Sequence, residues 1–135
     1  MNICIKWKKL STFNQNFCKV LYANIDILRD KIVYIGKADF CSVKERLNGK
    51  DKKGLYDYLK KNDIPKIRTI VGNIYLESDK KLSRELLIDI ESLLVKRINP
   101  IGNIQSTKTR ISRPGMRVFC EGFWPLVKNA FYDIG

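Results

Sequence analysis

Three side chains suited to binding a phosphodiester follow one another in the first half of the chain: Tyr34, Lys37 and Arg46. The apolar run 32–35 predicts a buried strand, and a capping-box pattern at 42–45 predicts a helix that begins shortly after it. The three side chains are then expected to lie together at one end of the strand. Arginine and lysine bind phosphate oxygens, and a tyrosine hydroxyl can orient a water molecule. The spacing therefore predicts a phosphodiester site.

Two further residues are candidates for the same site, and each depends on its own element. Tyr22 lies in a predicted strand, 19–25, in which residues 20, 22 and 24 share one face and residues 21, 23 and 25 share the other. Glu91 falls in the apolar half of a helix predicted over 80–98, with Ser78 or Asp79 as its N-cap. The opposite, polar face of that helix carries Glu85, Asp89, Ser92 and Lys96. A carboxylate on the core side needs a partner, because burying an unpaired charge costs several kcal/mol.

The composition favours a polyanionic partner. The formal net charge is +12, from 26 basic and 14 acidic residues, and such a surface binds nucleic acid by releasing its counterions. A generically basic small protein is the alternative interpretation. A basic run towards the C-terminus is either a solvated loop or, as we favour, a set of phosphate contacts: Lys108, Arg110, Arg113 and Arg117.

The available general bases are few. Histidine is absent, and the four cysteines lie apart without a Cys-x-x-Cys pair. This excludes zinc-finger spacing and the usual imidazole base, and isolated cysteines in an intracellular protein are more often core residues than disulfide partners. Any hydrolysis must therefore use tyrosine, lysine, or a carboxylate with a metal ion.

The order of the elements predicts one α+β domain over residues 1–135. We expect a small central antiparallel three-stranded sheet flanked by helices, in the order β-β-α-α-β-α, with N- and C-terminal extensions. The strands are predicted at 19–25, 31–35 and 67–76, the last interrupted by a bulge at Gly72-Asn73. In the extensions, we predict an edge strand or arm over residues 1–17 and a further strand over residues 116–120.

Nothing in the sequence indicates a membrane protein. No apolar run approaches the roughly 20 residues that a membrane span needs, and the N-terminus lacks the apolar core of a signal peptide. We therefore expect no membrane partner and an intracellular location, either the cytoplasm and nucleoid or a virus-infected cell.

The candidate residues occur in a characteristic order: Tyr22 after Val-Leu, then Tyr34-Ile35-Gly36-Lys37-Ala38, Arg46-Leu47, Glu91 on a helix, and Asn103 in Asn-Pro-Ile-Gly-Asn. This ordered set, over about residues 19–103, resembles the GIY-YIG nuclease superfamily. Its members include homing endonucleases, some type II restriction enzymes and the incision subunit of bacterial nucleotide excision repair. The chain departs from the family pattern in two places, since Val-Leu-Tyr lacks the family's glycine and the segment from Gly36 to Arg46 is somewhat longer. Residues 104–135 are then a basic C-terminal extension.

The resemblance implies a role for each residue. Glu91 is the sole protein ligand of one divalent cation, Mg²⁺ or else Mn²⁺, and Arg46 binds a nonbridging phosphate oxygen. Tyr22, or as second choice Tyr34, positions or deprotonates the attacking water, with Lys37 as the cation that lowers the phenol pKa. The alternatives are a core ion pair for Glu91, a solvated Arg46 and core aromatic roles for the tyrosines.

Three more residues complete the set that the resemblance implies. Tyr56 supplies the additional hydroxyl that many members place on the following helix. Gly36 ends the strand, and Asn103 ties down the loop after the long helix by hydrogen bonds to the backbone rather than by touching substrate.

The function implied is a metal-dependent DNA endonuclease that leaves a 5′ phosphate and a 3′ hydroxyl. The substrate is double-stranded or branched DNA, and the protein acts as a monomer or a homodimer. Two alternatives remain open: a catalytically silent nucleic-acid-binding module on the same fold, and a nuclease that acts on RNA.

Overall fold

The computed structural model describes residues 1–50, 52–77, 80–103 and 115–132. The strands are β1 (Asn2–Lys9), β2 (Val20–Asp26), β3 (Lys31–Ala38), β4 (Ile67–Tyr75), β5 (Arg117–Gly122) and β6 (Ala130–Tyr132). The helices are α1 (Val43–Leu47), α2 (Lys52–Lys61) and α3 (Arg84–Ile98). A 3₁₀ turn, Asn14–Asn16, follows β1. None of the helices in these ranges has both the length and the apolar character needed to cross a lipid bilayer.

Within the described ranges the strands form one curled, mixed six-stranded sheet in the order β3-β2-β4-β1-β5-β6. Neighbouring strands are antiparallel except β1 and β5, which are parallel. The prediction of a small three-stranded sheet is therefore wrong. The antiparallel set β3-β2-β4 continues through β1 into β5 and β6. Strand β1 pairs with both β4 and β5, and its Ile3, Ile5 and Trp7 are buried in the main core.

Strand β4 runs unbroken from Ile67 to Tyr75, so the predicted bulge at Gly72 is also wrong. Gly72 instead leaves room for side chains of β1. A Cβ at this position would lie 2.7 Å from Ile5 Cγ2 and 3.0 Å from Trp7 Cδ2. The glycine is therefore explained by close packing of the neighbouring strand.

Helix α3 covers one face of the sheet and closes the main core. It begins after Ser83, whose Oγ accepts a hydrogen bond from the Leu86 amide at 3.1 Å, and not after Ser78 or Asp79, which lie outside the described residues. Asp89 and Ser92, which were predicted on the polar face away from the core, are buried. For these two residues the prediction is wrong. The helix contacts both β3 and β6.

Among the described residues, the helical cover on the opposite face of the sheet lies at the β2–β3 end. Alternation along β2 is as predicted, since Leu21 joins the core under α3 while Tyr22 joins a second cluster with Val43 of α1 and Val71 of β4. Helix α2 adds a third, small cluster around Leu59. The β2–β3 end of the sheet is therefore enclosed by helices on both sides.

Candidate active site

Two tyrosines on neighbouring strands stack at the β3 edge of the sheet. The ring centroids of Tyr22 and Tyr34 are 6.1 Å apart, and the ring planes differ by 18°. Gly36 pairs with Tyr22 in the β2–β3 register, and a Cβ on Gly36 would lie 2.5 Å from both Cζ and Oη of Tyr22. Strand β3 continues past Gly36 to Ala38, so the prediction that the strand ends at Gly36 is wrong. The glycine instead leaves the space into which the Tyr22 ring fits.

Lys52, at the start of α2, completes the tyrosine pair and was not predicted from the sequence. Its side chain is buried, and its Nζ donates a hydrogen bond to Tyr34 Oη at 2.9 Å. The same ammonium lies 4.2 Å from the Tyr34 ring centroid and 5.5 Å from that of Tyr22. No sequence signal separates Lys52 from Lys50 and Lys53, because only the packing of α2 selects the lysine that turns inward.

Glu91 on α3 contacts Lys37 on β3. The distance from Lys37 Nζ to Glu91 Oε1 is 3.8 Å, and the Glu91 side chain is 15% exposed. Burial raises the pKa of Glu91, while Lys37, Arg46 and Lys52 act in the opposite direction. One carboxylate therefore stands in the field of three cations.

Helix α1 is short and is held by the predicted capping box. Ser42 Oγ accepts from the Glu45 amide at 3.2 Å, and Glu45 Oε1 accepts from the Ser42 amide at 3.1 Å. This places Arg46 in the last turn of α1, half-buried and close enough to affect the pKa of both Tyr22 and Glu91. The guanidinium is therefore part of the same cluster as the carboxylate and the tyrosines.

The Tyr22 hydroxyl is buried between Arg46 and Tyr34 and makes no well-formed hydrogen bond to the described residues. Burial, and then the neighbouring Tyr34, raises the pKa of Tyr22 far above that of a free phenol, against the opposing effect of Arg46. Tyr22 is therefore a neutral hydrogen-bond donor at physiological pH. Its hydroxyl has capacity left for an acceptor such as a water or a phosphate oxygen.

Asn103 anchors the chain after α3 to the outer side of β3. Its Oδ1 accepts from the Ile35 amide at 2.9 Å, and its Nδ2 donates to the Ile35 carbonyl at 2.8 Å. The Gly102 amide donates to the Val33 carbonyl at 2.7 Å. The edge strand that carries Tyr34 and Lys37 is thereby covered.

Replacing Asn103 by alanine is expected to destabilise the fold. Asn103 is buried, and Asn103→Ala removes the partners of both backbone groups of Ile35, at a cost of about 3 kcal/mol. Urea unfolding followed by circular dichroism measures the change. The control is Asn62→Ala, which removes an exposed bond to the Tyr58 carbonyl and should cost less than about 0.5 kcal/mol. Equal midpoints for the two variants would contradict the anchoring role.

The remaining predicted residues lie elsewhere or outside the described ranges. The Tyr56 hydroxyl donates to the Leu47 carbonyl at 3.1 Å, so it fastens α2 to the end of α1. Arg117 is exposed at the start of β5, three strands away from β2 in the sheet. The other basic residues of the C-terminal run, Lys108, Arg110 and Arg113, lie outside the described residues.

Glu91 offers one carboxylate, and a hard divalent cation such as Mg²⁺ is commonly held by one or two carboxylates together with phosphate and water oxygens. Among the described residues, no group of three or more His, Cys, Asp or Glu side chains is arranged to hold a metal ion. A cation at Glu91 would therefore depend on substrate and water for the rest of its ligands.

No family model, curated protein or solved structure matches the chain. The site is therefore characterised by its geometry: two stacked tyrosines and a half-buried arginine close to a carboxylate that contacts a lysine, beside an edge strand.

Proposed function

We propose that the protein is a divalent-metal-dependent endonuclease that hydrolyses phosphodiester bonds of DNA. The observation that carries this proposal is the convergence of Tyr22, Tyr34 and Arg46 with Glu91 at one edge of the sheet. These residues are far apart in the sequence, and their order resembles that of the GIY-YIG nucleases. By the same resemblance, the products carry a 5′ phosphate and a 3′ hydroxyl.

The charges of the site suit a phosphodiester. Lys37, Arg46 and Lys52 all act on Glu91, so the cations outnumber the carboxylate. Salt screens such partly buried charges less than it screens surface charges. The planar guanidinium of Arg46 is suited to two oxygens of one phosphate, and the site therefore attracts an anion before any metal is bound.

Each of the other residues has a role that follows from its contacts. The buried Tyr22 hydroxyl would donate a hydrogen bond to a phosphate oxygen or to a water and keep its proton. The Tyr34 oxygen already accepts from Lys52, so its own proton is directed to another acceptor, and we assign Tyr34 the orientation of the attacking water. Glu91 would hold Mg²⁺ or Mn²⁺, which supplies Lewis-acid stabilisation of the phosphate and the departing oxygen.

The second candidate function is a nucleic-acid-binding module without catalysis. The contact between Glu91 and Lys37 favours it, because a carboxylate in an ion pair is also a structural arrangement. RNA is the alternative substrate for either function, since the charged groups of the site would meet the same phosphodiester.

A plasmid-nicking assay with Mg²⁺ or Mn²⁺ tests the proposal. Arg46→Ala is expected to lower the nicking rate about a hundredfold or more, because it removes a charged donor to the phosphate. Lys44→Ala is the matched control, since Lys44 is an exposed cation of the same helix, and its rate should stay within about twofold of wild type.

The two functions predict different outcomes. Cleavage that survives both Arg46→Ala and Glu91→Ala would show that the site assignment is wrong. Binding that depends on salt, without cleavage of duplex, branched or single-stranded DNA or of RNA, would instead support the binding module.

A further inference from the structure

The sheet face that carries Tyr22 continues across β4, β1, β5 and β6, where exposed aromatic rings replace the covering helix. Tyr75 is 50% exposed, Phe119 39% and Tyr132 45%. Lys6 and Arg117 are exposed on the same strands. We call these five residues the open face.

The strand register places the open face on the Tyr22 side of the sheet. Tyr22 pairs with Val71, and Val71 pairs with Lys8 of β1. Side chains of paired residues point to the same side, and every second residue along a strand shares that side. By this alternation, Lys6 lies on the same side as Lys8 on β1, and Tyr75 on the same side as Val71 on β4. On β5, Phe119 pairs with Cys4 of β1, and Arg117 pairs with Tyr132 of β6.

The aromatic rings of the open face contact one another or a lysine. Phe119 and Tyr132 meet edge to face, with centroids 6.2 Å apart and planes at 85°. Lys6 Nζ lies 4.9 Å from the Tyr75 ring centroid and 3.8 Å from Glu121 Oε1. The face therefore presents aromatic rings interleaved with cations, and Glu121 adds a carboxylate.

On the basis of the function proposed above, we propose that the open face binds an unpaired, single-stranded segment of the nucleic acid that is cleaved at the Tyr22–Glu91 site. Aromatic side chains in a basic groove stack on successive bases whatever their sequence. The bases of an intact duplex are already stacked on one another, whereas those of a single strand are free to stack on Phe119 and Tyr132. The net charge of +12 supplies the attraction for the phosphates.

The position of the open face relative to the site supports one continuous strand. β5 lies three strands from β2 and four from β3, the edge strand whose Lys37 contacts Glu91, which is on the order of 15–20 Å at about 4.8 Å per strand. A few nucleotides of extended chain cover that distance. The substrate class that follows is nucleic acid with a single-stranded segment beside the cleaved bond, such as a flap, a fork or a single strand.

Fluorescence anisotropy with labelled oligonucleotides tests the open face without cleavage. The measurement uses Glu91→Gln protein in EDTA and compares a single-stranded DNA, the same sequence as RNA, and a blunt DNA duplex. Adding Phe119→Ala and Tyr132→Ala is expected to weaken single-strand binding about tenfold or more and duplex binding by less than about twofold. The matched control is Phe123→Ala, since Phe123 is 50% exposed beside Lys9 but follows the end of β5. It should leave both affinities unchanged.

The outcomes separate this inference from the proposed function. Single-strand affinity within about twofold of the parent protein, or an equal loss for the duplex, would overturn the open face even if the wild type cleaves DNA. If the Phe119 and Tyr132 substitutions abolish single-strand binding but the wild-type protein cleaves no nucleic acid, the open face is retained and the nuclease proposal is overturned. Because both rings are part-exposed, the alanine variants should fold. The variant with Phe119→Leu and Tyr132→Leu keeps apolar side chains but has no rings, and it should show the same loss of single-strand affinity.

Discussion

Replacing Glu91 by glutamine is expected to abolish cleavage while leaving the free energy of unfolding at pH 7 undiminished. Glu91→Gln keeps the size of the side chain but removes the charge that would bind a divalent cation. The several kcal/mol of transition-state stabilisation that such a cation supplies correspond to a rate loss of at least about a thousandfold. Titration calorimetry with Mn²⁺ should show a matching loss of binding.

The stability of Glu91→Gln follows from the sign of the pKa shift. Burial raises the pKa of Glu91 despite three nearby cations, so the folded state favours the protonated form more than the unfolded state does. Below the unfolded pKa the carboxyl is neutral in both states, and stability is lost as the pH rises through the folded pKa. Lys37, whose side chain is 28% exposed, can turn to water when its partner is neutral.

The advantage of glutamine in stability should therefore be largest near neutral pH and vanish in acid. Denaturant unfolding of both proteins at several pH values measures it. Glu85→Gln is the matched control, since Glu85 is an exposed carboxylate of the same helix, and both its cleavage rate and its stability should remain close to wild type. A Glu91→Gln protein less stable than wild type at pH 7 would show that Glu91 is a net stabilising ion-pair partner.

Replacing Gly36 by alanine is expected to damage both the fold and the site. The new Cβ would lie 2.5 Å from Cζ and Oη of Tyr22, whose fully buried ring is stacked on Tyr34. Overpacking of this kind costs about 1–3 kcal/mol. Because the Tyr22 ring must move, cleavage should fall about a hundredfold, and denaturant unfolding and plasmid nicking measure the two effects.

Gly54 provides the matched glycine. It lies within α2, and a Cβ there would meet nothing within 4 Å. Gly54→Ala should therefore stabilise the protein by about 0.5–1 kcal/mol, as expected for alanine in a helix, and leave cleavage unchanged. If Gly36→Ala behaved like Gly54→Ala, the close contact with Tyr22 would not be a constraint on the site.

Much of the local structure was predictable because its signals act over a few residues. The strand period around Tyr22, the capping box at Ser42 and the end of α3 at Asn99 all depend on neighbours within one or two turns. The pairing of β2 with β3 then follows from a short connection, but the register shift between Asn24 and Ile25 does not. Of the cations that the structure brings near Glu91, Lys37 and Arg46 were named from the sequence, whereas Lys52 was not. The chemical role of all of them stays a prediction.

Only the tertiary structure decided the extent of the sheet and the state of the site. The place of β1 between β4 and β5 depends on pairing with residues far along the chain, and no local pattern specifies such a partner. The inward turn of Lys52 and the raised pKa of Tyr22 depend on burial by other elements. Sequence patterns determine which side chains one element can offer to a face, whereas long-range packing determines which faces meet and which of those side chains lose their water.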